Sequence, residues 1–89
     1  MESYKCIALS TAHITERDAG ILSSLSSEMI MIRKTGFFIK LYEELEHNHF
    51  SSLSIATNKM IEHCHQNGAR LIELDRDAQI NYDLAIFDW

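Results

Sequence analysis

The chain has 89 residues, 46% hydrophobic and 24% charged, which describes one domain, residues 1–89, with a small core and too much apolar content for a disordered segment. Its 13 acidic and 8 basic residues leave a net charge of −5, with no concentration of lysine and arginine for a phosphate backbone, so direct nucleic-acid binding is not expected. An acidic surface favours a basic partner instead, including a protein that itself binds nucleic acid.

Residues 4–10 (YKCIALS) read as a first strand, closed by the polar pair Ser10-Thr11. Thr15 is a good helix N-cap with Asp18 three residues on, and Glu16 and Asp18 suit the positive end of a helix dipole. Ala19, Leu22 and Leu25 mark an apolar face with Ile21 beside it, and the serines at 23, 24, 26 and 27 end the helix near residue 27. Residues 29–34 (MIMIRK) and 37–43 (FFIKLYE) are two strands broken by Thr35-Gly36, a hairpin signal. The polar stretch 44–51 is a loop. Ser51 or Ser52 caps a second helix in which Leu53, Ala56, Met60, Ile61 and Cys64 keep helical spacing up to about Gln66, where Asn67-Gly68 stops it. Residues 69–75 (ARLIELD) form the fourth strand, Asp75-Arg76-Asp77 turns the chain, and the tail 80–89 (INYDLAIFDW) is apolar enough to pack.

Strand, helix, strand, strand, helix, strand is the order of an α+β, ferredoxin-like βαββαβ sandwich, with a four-stranded antiparallel sheet and two helices on one face. Period-two alternation puts Phe37, Ile39 and Leu41 on one face of the third strand and Phe38, Lys40 and Tyr42 on the other. The second strand is apolar on both faces, so a cover is expected over the side without helices: the C-terminal tail, a second copy of the chain, or a partner protein.

No chemical signature stands out. Cys6 and Cys64 lie in apolar runs and read as buried thiols of a reducing compartment. His47 and His49 form one His-x-His and His63 and His65 another. The second pair would point about 200° apart on a helix, and two ligands do not make a zinc site, so no metal or cofactor is expected. Ser10, Thr11 and His13 place hydroxyls near an imidazole at a strand–helix turn, a nucleophile-and-base pattern that also fits a hydrogen-bonded turn. There is no glycine-rich phosphate loop or nucleophile elbow. Acidic residues gather at Glu43, Glu44 and Glu46 and again along Glu73, Asp75, Asp77, Asp83 and Asp88. Trp89, the single tryptophan, is the last residue, where a large ring is expected to pack or to anchor a partner. Met-Glu-Ser-Tyr-Lys lacks the apolar run of a signal peptide, and no stretch is long enough to cross a bilayer, which implies a cytoplasmic protein.

Residues 7–15 (IALSTAHIT) and Phe87-Asp88-Trp89 resemble a small family of uncharacterised proteins of bacterial plasmids, prophages and other mobile elements. Their pattern is an early Ser-Thr-Ala-His-(Ile/Leu)-Thr and a terminal Tyr/Phe-Asp-Trp. Members often carry Leu-Pro-Thr before the last aromatic, where Asp83-Leu84-Ala85-Ile86 stands here. The resemblance implies a mobile-element setting, such as a phage, in a bacterial host, and groups Ser10, Thr11, His13, Asp88 and Trp89 as one recurring feature. Together these readings point to a small acidic, non-enzymatic protein that inhibits a host defence complex in the manner of an anti-CRISPR or antirestriction protein. Its expected partner-binding residues are Glu43, Glu44, Glu46, Glu73, Asp75, Asp77, Asp88, Phe38, Tyr42 and Trp89. The alternatives are a homodimeric accessory protein and a small-ligand or enzymatic domain using Ser10, Thr11 and His13.

Overall fold

Four strands and two helices follow one another in the expected order in the computed structural model of the chain, which describes residues 1–25 and 27–89. They are β1 (Lys5–Leu9), α1 (Glu16–Ser24), β2 (Ile30–Arg33), β3 (Gly36–Lys40), α2 (Ile55–Gln66) and β4 (Ala69–Asp75). Short 3-10 turns at Thr11–His13 and Leu45–Asn48 fill the longer connections.

The caps explain the helix boundaries. Thr15 accepts a hydrogen bond from the Asp18 N–H at 3.0 Å, as its spacing predicted. The α2 cap is Ser54 rather than Ser51 or Ser52: its hydroxyl accepts from the Thr57 N–H and is itself held by Asp18, so a contact distant in sequence chose among the serines. Asn67 ends α2, and Gly68 takes the left-handed conformation (φ 88°) that glycine adopts freely. The first helix ends at Ser24; Ser26, part of the serine cluster expected to stop it, lies outside the described residues. The hairpin turn is Lys34-Thr35, and Gly36 already pairs with Arg33 and with Asp75. Glycine is needed at 36 because a Cβ there would collide with the Leu74 carbonyl.

The sheet order is β1-β4-β3-β2. β2 with β3 and β3 with β4 are antiparallel, but β1 runs parallel to β4. The sheet is therefore mixed, which corrects the all-antiparallel sheet of the ferredoxin-like expectation. The physical reason lies in β4. It returns from α2 beside β3 and, as an apolar strand buried along much of its length, takes a central position with both edges paired. β1 then adds to its free edge in the same direction. Hydrophobic periodicity sets which faces are buried, not which strands are neighbours.

Pairing aligns Ile30, Ile39, Ile72 and Ile7 in one row and Phe37, Leu74 and Leu9 in the next. This face packs against Leu22 of α1 and Met60, Ile61 and Cys64 of α2 in a single core, so both helices lie on one side. No helix of the described residues is long and apolar enough to cross a membrane.

Candidate functional site

Two features compete for a functional role: the turn carrying the Ser-Thr-Ala-His motif and the sheet face without helices. The motif forms the 3-10 turn after β1. Ser10 Oγ accepts from the Ala12 N–H at 3.1 Å, while the Ser10 N–H donates to the Gln79 carbonyl at 3.2 Å. His13 is 1% exposed and is held at both ring nitrogens by the tail. The Asn81 N–H donates to Nε2 at 2.9 Å, which puts the ring proton on Nδ1, and that N–H donates to the Ala85 carbonyl at 2.8 Å. The Phe87 N–H donates to the Ala12 carbonyl at 2.7 Å, and Trp89 Nε1–H to the Ile14 carbonyl at 2.9 Å.

The two ends of the resemblance motif therefore meet, and the tail residues 79–89 are clasped to residues 10–14. The clasp uses the imidazole, the indole and main chain; the Asp88 side chain is exposed and makes no ion pair among the described residues. With both His13 nitrogens taken by main chain, no lone pair faces a hydroxyl, so the spacing of Ser10, Thr11 and His13 is not assembled into a nucleophile and base. The partners of His13 were not legible from sequence, because main-chain groups leave no compositional mark.

The tail's course also answers one question about the open face. Leu84 packs on the helix side, and Asp83, Leu84 and Ala85 border a cleft of about 440 Å³ with α2 and His13. The opposite sheet face is left largely open. Its rows run Ala8, Glu73, Phe38, Met31 and Cys6, Leu71, Lys40. Cys6 and Ala8 are exposed, Met31 is 47% exposed, and Phe38 and Leu71 are half-buried. Cys6 is thus at the surface, not in the core as expected; Cys64 is buried, and both thiols are free.

Charges lace this apolar strip. Arg33 pairs with Glu73 and with Asp75 (3.5 Å) and lies 5.2 Å from the centre of the Phe38 ring, while Lys40 Nζ stands 3.6 Å from that of Tyr4. The Asp77 N–H bonded to Asp75 holds its carboxyl below the usual range against the opposing push of burial, and Thr35, Arg33 and Arg76 add to that lowering. At the sheet end, Glu43 receives Nε and Nη2 of Arg70 at 3.0 and 3.1 Å, and those bonds and the adjacent charge hold its carboxyl low. Glu44 sits 3.7 Å from His47, whose ring meets Tyr42 edge-on.

Of the expected partner-binding residues, Phe38, Glu73 and Asp75 share the open face. Glu43, Glu44 and Tyr42 cluster beyond the end of β3, Asp77 lies in the turn after β4, and Asp88 and Trp89 sit by the clasp. Glu46 faces a cleft beside α2. The acids do not make one continuous edge, and Glu43, Glu73 and Asp75 are already paired with arginine. Leu71, Cys6, Ala8 and Met31 complete the open face; only the strand register brings them to Phe38, and register is set by pairing that sequence does not display. Among the described residues no group of three or more His, Cys, Asp or Glu side chains is arranged to hold a metal.

No curated protein matches the chain, and no solved structure does. A family model does match, over residues 6–89, so the clasp and the open face fall within it: the chain belongs to the family of unknown function DUF5983, to the part described as its C-terminal domain.

Proposed function

We propose that this chain is a non-catalytic protein-binding domain and that the open sheet face is its contact surface. The carrying observation is that Cys6, Ala8, Met31, Phe38 and Leu71 form an apolar strip, and the tail that was a candidate to cover it is clasped on the other side. A strip of this kind supplies contact energy, and the paired charges within it set orientation. In its narrower form the proposal is an inhibitor of a bacterial host defence complex, of anti-CRISPR or antirestriction type, carried by a mobile element and acting in the cytoplasm. The net charge of −5 supports a basic target by long-range attraction.

The test is capture of purified CRISPR effector and restriction complexes on the immobilised chain, with the Phe38→Asp variant alongside. Retention of one such complex by the wild type, lost in the variant and weakened by salt, is the expected result. Equal retention by both proteins would remove the open face from the proposal. Retention of none, with a doubled mass in light scattering that Phe38→Asp halves, would favour the homodimer.

A further inference from the structure

From Leu41 to Ser54 the chain links β3 to α2 with no regular structure beyond one 3-10 turn. So long a connection in a small domain is uncommon unless it has a task. It is also firmly built. Asn48, 1% exposed, accepts from the Tyr42 N–H at 2.7 Å and donates to the Tyr42 carbonyl at 3.1 Å, as a neighbouring strand would. Asn58 of α2 repeats the device, accepting from the Phe50 N–H and donating to the Phe50 carbonyl, both at 2.9 Å. The walls are thus set before any ligand arrives.

Between this connection and α2 lies a cleft of about 500 Å³. Leu53 and Ile61, both buried, floor it, with Leu45 and the 77%-exposed Ile55 beside them. Glu46 and Glu62 stand in its lining, and among the described residues neither is in an ion pair. Among the described residues Lys59 is the one lysine or arginine of the lining, with His49 also in it, and Lys59 also borders the adjoining cleft with Asp83. Glu62 accepts one hydrogen bond from Gln66 at 3.3 Å, and an apolar floor beside two carboxylates with no cationic partner among the described residues suits a hydrocarbon stem that ends in a planar cation.

We infer that this cleft receives an arginine side chain from a segment of a basic partner protein, its methylenes on Leu53 and Ile61 and its guanidinium toward Glu46 and Glu62. The cleft is on the helix side, away from the open face, so this site stands even if that face binds nothing.

The probe is the capped tripeptide Leu-Arg-Leu, titrated into the isotope-labelled full chain and followed by amide NMR shifts, with citrulline replacing arginine as the neutral control. Saturable shifts at Leu45, Ile55 and Glu62 are expected, with the citrulline peptide weaker by about tenfold. The exposed double variant Glu46→Gln, Glu62→Gln should weaken the arginine peptide about as much and leave the citrulline peptide unchanged, while its spectrum elsewhere reports an intact fold. Absence of saturable shifts, equal affinity for the two peptides, or shifts confined to Cys6, Phe38 and Leu71 would overturn the inference. Phe38→Asp, which abolishes the open-face contact, leaves the peptide response in place, so the two readings fail separately.

Discussion

His13 holds two main-chain groups of opposite polarity, one N–H and one carbonyl, and only a neutral imidazole with its proton on Nδ1 serves both. His13→Ala removes both bonds and leaves buried space, for a cost of about 2–4 kcal/mol. Urea unfolding measures the loss, and amide exchange at Asn81 and Phe87 should rise with it if the ring is what holds the tail. Asp18 is the second buried polar residue with a local task. Burial raises its carboxyl, but hydrogen bonds from the Ser54 and Thr57 hydroxyls (2.5 Å each) and the Ser54 N–H outweigh that and hold it low. A depressed value means that its contribution is complete above about pH 4 and disappears as pH falls through the lower folded value. Asp18→Asn turns an amide N–H₂ toward those donors and should cost about 2–3 kcal/mol at pH 7, a gap that narrows in urea melts near pH 3. The cysteines divide by access: burial pushes Cys64 up to about 11, and partial burial and the neighbouring Glu73 also raise the Cys6 thiol, but only Cys6 is exposed to a reagent. A thiol reagent at pH 8 should modify Cys6 in the folded protein and Cys64 only after unfolding, which mass spectrometry of the labelled chain reads directly.

At the scale of elements, the tail behaves as a strap without regular structure. Truncation after Ala85 removes the Phe87 and Trp89 bonds but leaves Asn81 and Ala85 on His13. It should lower stability by about 1–3 kcal/mol with no change of oligomeric state, read by thermal melting and light scattering. A loss of partner binding without loss of stability would assign Trp89, a 54%-exposed residue, to an interface instead. The helices show the same division between local and distant causes. Thr15 caps α1 through its own neighbour, whereas Ser54 caps α2 under the direction of Asp18 from the other helix.

For the whole molecule, the sheet has one face buried by both helices and one that carries apolar rows between ion pairs. Phe38 is half-buried on the open side, so Phe38→Asp should change stability by only about 1 kcal/mol while removing partner binding. Chemical denaturation alongside the binding assay separates the two effects. If a partner, and not a second copy, occupies that face, light scattering of the isolated chain should give the monomer mass of 10.3 kDa.

Residue order sufficed for the element sequence, the Thr15 cap, the Asn67-Gly68 stop and the extent of β4, because each depends on neighbours within a turn or on an alternation every second residue. It also divided β3 and the residue after it into two faces, Phe37, Ile39 and Leu41 against Phe38 and Lys40, and the fold buries the first set. Strand neighbours, the parallel β1–β4 pair and the partners of His13 and Asp18 depend on contacts between residues far apart in the chain, many of them to main-chain atoms common to every residue. The candidate surface inherits that division. Phe38 was visible in its strand, but Cys6, Leu71 and Met31 became its neighbours only when three other strands came into register around it.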